Sequence, residues 1–396
     1  MGRVTVALIV SSWVIPISVL VNRIVPDPYM DEIFHVPQAQ QYCKGNFTSW
    51  DPMITTPPGL YFFSLAHVAS LFPGILLTRV ASSYSDTCST SILRSTNGAL
   101  AVICSILIYQ IITCLRPTLD ERKATLYAVV LSLYPLHWFF TFLYYTDVAS
   151  LTVVLAMYSV SLKKNYLFSA MLGALAVLIR QTNIIWMLFV ACAGMIDCTL
   201  ARRKDKVQLG YANEPNQKND YLAPSEGVAS GSNLRKRRFN NAVGTLDHTI
   251  TGTSSLSSPL SSGLYDEIQD ILLMAWHLKW ELLVSFSPFV LVLVAFVAFF
   301  HSKPIIFSFA AKVQKKIWVL AYFLASAAAL IPTPLIEFRY YTIPFFFLIL
   351  HSHVDDDRSW LFMGILFTAI NVFTMFMFLF RPFHWQHEAG TQRFIW

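Results

Sequence analysis

Apolar positions in this chain come in long blocks. A helix crossing a hydrocarbon core of about 30 Å needs roughly 17–25 mostly apolar residues. Blocks of that kind recur at about 4–22, 94–115, 124–143, 147–162, 165–179, 183–199, 282–300, 317–334, 340–351 and 359–380. Several are short, and Pro16, Pro135, Pro332 and Pro344 sit inside blocks. Helix bundles tolerate such prolines where neighbours serve the freed carbonyls. The block 4–22 reads as a span rather than a signal peptide, because no small-residue cleavage site precedes Arg23. The expected fold is an all-α polytopic membrane protein.

Lys and Arg between the blocks give the orientation. Arg202, Arg203, Lys204, Lys206 and the run Arg235–Arg238 mark one loop as cytoplasmic. Counting spans backwards puts Lys163–Lys164, the loop Arg116–Lys123 and the N-terminus with Arg3 on that same side. Tyr144–Asp147 and Arg180–Asn183 fall on the other. The parity closes only if 23–93 is one long loop on the far side. Within it, the apolar stretch 58–77 opens Pro57-Pro58-Gly59 and contains His67, Pro73 and Gly74. It reads as an interfacial or re-entrant helix; the alternative is a second span, which would carry 78–93 into the cytoplasm.

Composition supports the membrane reading. Of 396 residues, 55% are apolar and only 13% charged, about half the charge of an average soluble domain. A net charge of +6 is too small to suggest nucleic acid as a partner; the expected partner surface is the lipid bilayer. The chain divides into a membrane module 1–199 with its loop 23–93, a cytoplasmic loop 200–281, and membrane helices in 282–396. Residues 205–265 are rich in Ser, Asn, Gly and Thr. They cannot bury enough apolar area to offset their ordering entropy, so a disordered insert is expected there.

Six cysteines stand at 43, 88, 104, 114, 192 and 198. Only Cys43 and Cys88 share the far-side loop, where a disulfide between them is possible in an oxidising lumen. No CxxC and no Cys/His cluster occurs, so a structural zinc site is not expected; no metal ligand and no cofactor are assigned. Asn46-Phe47-Thr48 is an N-glycosylation sequon in the same loop.

Ionisable residues at membrane depth are candidates for function. The densest group follows the first span, in Pro28-Tyr29-Met30-Asp31-Glu32-Ile33-Phe34-His35-Val36-Pro37-Gln38. On a helix, Asp31, His35 and Gln38 share one face, with Met30, Ile33, Phe34 and Pro37 opposite. Pro37 fits a first-turn position that restarts the helix. A second island runs from Trp50-Asp51 through Thr55-Thr56 to Tyr61. A carboxylate here could take the proton from an acceptor hydroxyl while a phosphate leaves the anomeric carbon of a lipid-linked sugar. The leaving phosphate needs cations, and Arg79, Arg94 and Arg180 are the arginines on this side. Equally, Asp31 and Glu32 could simply cap a helix and stay solvated.

The string PYMDEIFHVPQAQQYCKGNFTSWDPMITTPPGLY at 28–61 closely resembles one family. The likeness continues in Tyr144-Tyr145-Thr146-Asp147, Arg180-Gln181-Thr182-Asn183, Ile336-Glu337-Phe338-Arg339-Tyr340-Tyr341-Thr342-Ile343-Pro344 and Gln392-Arg393-Phe394-Ile395-Trp396. These are similar to the endoplasmic-reticulum α-1,2-glucosyltransferases that use dolichyl phosphate glucose, within the C-type glycosyltransferases. The resemblance implies a helix bundle whose first luminal loop carries surface helices. It implies transfer of the third glucose to the diglucosylated dolichol-diphosphate oligosaccharide, with inversion. Asp31 is then the base, with Glu32 the alternative. The substrate-binding candidates are His35, Gln38, Asp51, Thr55, Thr56, Tyr61, Arg94, Tyr145, Asp147, Arg180, Gln181, Asn183, Arg339 and Tyr340, with Asn46 as a glycosylation site. Two luminal motifs that such proteins carry after their seventh span are absent, so the C-terminal part reads as shortened. A sister transferase using another dolichyl-phosphate sugar, or a non-catalytic channel-modulating partner, are the alternatives.

Overall fold

The computed structural model describes residues 1–72, 88–212, 316–330, 337–352, 356–384 and 391–394. Almost all of these lie in one compact unit, Met1–Lys206 with Lys303–Trp396. The disordered insert expected at 205–265 is corrected at its start, where a helix that opens at Asn183 runs on to Ala212; residues 213–265 and the expected span 282–300 lie outside the described residues.

The described residues are helical: α1 Gly2–Ile24, α2 Glu32–Cys43, α3 Gly59–Leu71, α4 Thr90–Leu115, α5 Glu121–Ser132, α6 Pro135–Phe140, α7 Thr146–Leu162, α8 Tyr166–Ile179, α9 Asn183–Ala212 and α10 Lys316–Leu330. A 3₁₀ turn, Phe338–Tyr341, leads into α11 Thr342–His351, and α12 is Asp357–Phe380. One β-bridge pairs Phe383 with Gln392. Among the described residues three helices, α1, α4 and α12, are long and apolar enough to cross a membrane. The elements follow the apolar blocks closely, with one instructive break. The block 124–143 is two helices, because Pro135 cannot continue α5 and instead opens α6. The break frees the Leu133 carbonyl, and Asn371 Nδ2 on α12 donates to it at 2.8 Å. A side-chain amide thus replaces the lost backbone bond where water is scarce.

α1 and α4 run antiparallel in contact. At one end Gly2 lies so close to Tyr109 that an added Cβ would overlap its ring. At the other, Arg94 Nη1 on α4 donates to Asn22 Oδ1 and the Val25 carbonyl, just past α1. The segment between them therefore leaves and returns at one end of the pair, so α3 is not a lone crossing. At 13 residues it would reach only about 20 Å at 1.5 Å per residue. Gly59 abuts the Leu178 carbonyl, where a Cβ would overlap, so α3 lies across the end of α8. A disulfide joins Cys43 at the end of α2 to Cys88 just before α4. It closes this layer over the bundle.

Two poles result. One holds Met1, whose ammonium pairs with Glu121 at 3.3 Å, and Lys123, paired with Asp357 at 2.8 Å. Lys163 joins it by donating to Gln110. The other gathers α2, α3, Leu143–Thr146, Arg180–Asn183 and Glu337–Tyr341. Met1, Lys123 and Lys163 thus share one pole, as expected of the segments that hold them; Arg235–Arg238 lie outside the described residues.

α2 differs from expectation in two respects: Pro37 lies inside it, and its buried polar stripe takes Glu32 in place of Asp31. It starts at Glu32 with Asp31 as its N-cap, so Pro37 lies inside the helix. The proline removes the N–H that would meet the Ile33 carbonyl, but Ile33 is on the exposed side, where the loss costs little. The polar stripe is the buried one: Glu32, His35 and Gln38 face inward.

Candidate active site

Glu32 and Arg94 form the frame of this pole. Arg94 Nε donates to Glu32 Oε1 at 2.8 Å and Nη2 to Oε2 at 2.6 Å. Both side chains are essentially without solvent exposure, at 0% and 1%. The other Arg94 protons go to Asn22 Oδ1, the Val25 carbonyl and the Asp27 carbonyl. A guanidinium has five N–H donors, and all five are used. Glu32 also accepts the Tyr144 N–H at 2.5 Å and the Tyr29 N–H at 3.0 Å. This pair knots α1, the turn before α2, α4 and the turn before α7 together. It has no proton to give and no donor to lend to a phosphate.

Asp31, one residue earlier, points the other way. Its side chain is 44% exposed and lines a cavity of about 340 Å³. His35, Thr55, Thr56, Tyr145, Arg180, Gln181, Arg339 and Tyr340 line the same cavity, with Phe34, Met53, Ile54, Thr146 and Thr182 completing the wall. Arg339 Nη1 donates to Asp31 Oδ2 at 3.1 Å and lies 3.8 Å from Asp147 Oδ2. Its Nε pairs with Glu337. Arg180 grips Asp147 with two bonds, at 3.0 and 3.3 Å. Tyr145 and Tyr340 sit under the Arg339 guanidinium at 5.7 and 6.0 Å, and Arg180 lies 5.6 Å from Tyr340. Burial opposes the Arg339 charge, but Asp147, Glu337 and Asp31 outweigh it and hold the group firmly protonated. The arrangement places one accessible carboxylate between two fixed cations in a pocket of sugar size.

Of the other sequence candidates, Gln38, Asp51 and Asn183 support rather than line the cavity, and Gln181 does both. Gln38 donates to the Ser49 carbonyl at 2.7 Å and accepts the Asp51 N–H at 3.0 Å, tying the second island to α2. Asp51 Oδ1 accepts the Met53 N–H and shapes the turn that presents Thr55 and Thr56. Gln181 Nε2 holds the Thr55 carbonyl at 2.6 Å. Asn183 is fully buried on Ser150 and the Ala176 carbonyl, where α8 hands over to α9. Asp147 lines the adjoining small pocket. Asn46 is exposed at this pole. Glu337 is the functional neighbour that residue-by-residue reading passed over; its spacing of two from Arg339 was the available signal. Among the described residues no group of three or more His, Cys, Asp or Glu could hold a metal ion.

His35 Nδ1 shares a hydrogen bond of 2.7 Å with the Tyr61 hydroxyl. Burial pushes its pKa below 6.5, against Asp31 and Asp147, with Arg180 and Arg339 adding to the push. The unfolded chain then binds a proton near 6.5 that the folded chain refuses. Stability is therefore full above about pH 6.5 and falls as pH drops toward the folded value. Thermal unfolding in detergent from pH 8 to 5 should show that fall, and His35→Gln should make it shallower. Identical slopes in both proteins would assign the acid loss elsewhere.

An all-α polytopic membrane protein with a carboxylate and two arginines around a polar cavity at one pole is the class defined here. Residues 25–306 and 300–350 match the model of the DIE2/ALG10 family. A protein of Arabidopsis thaliana named Dol-P-Glc:Glc(2)Man(9)GlcNAc(2)-PP-Dol alpha-1,2-glucosyltransferase is 45% identical over 513 positions, covering 100% of both chains. Proteins of the same name from Mus musculus and Yarrowia lipolytica are each 27% identical over 95% of this chain and 94% of theirs. The chain belongs to the DIE2/ALG10 family. Since 513 aligned positions exceed the 396 residues of this chain, the Arabidopsis relative carries stretches that this chain lacks. No solved structure matches.

Proposed function

We propose that this chain transfers glucose from dolichyl phosphate glucose to the diglucosylated dolichol-diphosphate oligosaccharide, adding the third, α-1,2-linked glucose. The relatives' names support the substrates. The observation that carries the chemistry is the half-exposed Asp31 carboxylate in a cavity flanked by Arg180 and Arg339. Asp31 takes the proton of the acceptor hydroxyl as its oxygen attacks the anomeric carbon. The bond from that carbon to the phosphate oxygen breaks on the opposite face, inverting the centre. The bonding electrons leave with dolichyl phosphate, whose negative charge Arg339 and Arg180 receive. Arg94 is not part of this path, because every one of its donors is already spent. Burial and four hydrogen bonds from three residues argue against Glu32 as the base.

The cavity pole faces the endoplasmic-reticulum lumen in this reading, and the Met1 pole the cytoplasm. The Cys43–Cys88 bond and the exposed Asn46 sequon both lie at the cavity pole, and disulfides persist in oxidising compartments. The test is expression of this chain in cells that lack the third-glucose enzyme, with chromatography of the lipid-linked oligosaccharide. Conversion of the two-glucose species to three glucoses is expected. Persistence of two glucoses with the chain present at the membrane overturns the reading. Rescue of cells blocked at a different sugar instead would assign the chain to a sister transferase.

A further inference from the structure

The turn that presents Asp31 is backbone-strained. Met30, directly before it, has φ +55°, a left-handed conformation that a side chain bearing a Cβ rarely adopts. Such a turn persists only where its surroundings over-determine it. On its C-terminal side the Glu32–Arg94 frame does this, and the Asp31 N–H donates to the Tyr145 hydroxyl at 3.1 Å. On its N-terminal side the anchor comes from the far end of the chain. The Tyr29 hydroxyl donates to the Arg393 carbonyl at 2.8 Å and accepts the Arg393 N–H at 2.6 Å. Arg393 is itself fixed. Its Nη1 donates to the Phe378 and Leu379 carbonyls, at 2.8 and 3.0 Å, which end α12. Gln392 pairs with Phe383 by backbone bonds of 2.7 and 2.8 Å. The Tyr29 ring packs edge-on to Phe378 at 5.8 Å.

We propose that the Tyr29–Arg393 clasp positions the catalytic carboxylate: Tyr29 and Arg393 are positioning residues, and the C-terminal segment is part of the active site's support. This rests on Asp31 being the base. The clasp touches neither cavity wall nor substrate, so its loss should change how well the carboxylate is aimed and leave binding alone. A displacement of an ångström at a reacting group can cost about 10²-fold. The hydroxyl of Tyr29 is the cleanest probe, since Tyr29→Phe keeps the ring against Phe378 and removes both bonds.

The experiment measures glucose transfer to the lipid-linked acceptor by the purified full chain, for wild type, Tyr29→Phe, Arg393→Ala, Arg393→Lys and Asp31→Asn. Tyr29→Phe should lower kcat about tenfold or more, with KM for donor and acceptor within about twofold. Arg393→Ala should do the same, and Arg393→Lys should recover part of it through one carbonyl bond. In combination with Asp31→Asn, Tyr29→Phe should add nothing to the loss, because the aimed group is already gone. An unchanged kcat, or a raised KM at unchanged kcat, overturns the clasp. So does a lowered melting temperature at unchanged kcat. If Asp31→Asn is inactive while Tyr29→Phe is normal, the clasp fails and Asp31 stands. If Asp31→Asn turns over like wild type, the underlying reading fails first.

Discussion

Asp31→Asn should lower glucose transfer by roughly 10²–10⁴-fold, the usual contribution of a positioned base. A sugar hydroxyl is a poor nucleophile at neutral pH, so the proton must leave as the new bond forms. The amide has the carboxylate's shape and can still accept from Arg339 through its oxygen, but it cannot take that proton. Folding and donor KM should therefore stay near normal, because Asp31 is half-exposed and its contacts are few. Steady-state transfer with a lipid-linked acceptor measures both. Near-normal turnover would remove Asp31 from the chemistry.

The second large effect concerns stability. Breaking a buried ion pair by removing one partner costs about 3–5 kcal/mol, since a charge is left unpaired. Arg94→Met and Glu32→Gln should each destabilise the fold by such an amount, read as a lower folded yield and a lower melting temperature in detergent. Replacing both partners with apolar residues should not restore stability here. Glu32 also accepts the Tyr144 and Tyr29 N–H groups, and Arg94 serves the Asn22 side chain and the Val25 and Asp27 carbonyls. Those groups would remain buried and unpaired. Arg94→Lys should fail too, because an ammonium has three donors for five acceptors. A Glu32→Gln protein that melts like wild type but is inactive would instead move the base to Glu32.

Helix positions were readable because lipid demands long apolar runs: most described helices start within a few residues of their blocks, although α9 continues past 199 to Ala212. The break at Leu133–Tyr134 was not readable, since its repair by Asn371 comes from 238 positions away. The acidic pair shows the limit for the site. Asp31 and Glu32 are adjacent and chemically alike, and on a helix they project about 100° apart. Which one faces the cavity depends on where α4 and the turn before α7 stand. Arg94 was marked as a phosphate ligand because it opens a span at the right pole. Its saturation by five acceptors is a property of three-dimensional packing alone. Arg180, Arg339, Thr55, Thr56 and Tyr145 do meet around one cavity, drawn from separate polar islands that sequence spacing could name but not assemble.

The bond between Asp31 and Arg339 joins positions 308 apart, whereas Glu32 and Arg94 are only 62 apart. Ribosomes extend chains at about 5–20 residues per second. The frame can thus close within roughly 3–12 s of its first half emerging, while the carboxylate waits some 15–60 s for its arginine. The nascent protein acquires its scaffold early and its chemical competence last. Any product interrupted before the final helices would be anchored and folded at its base, yet unable to handle a sugar.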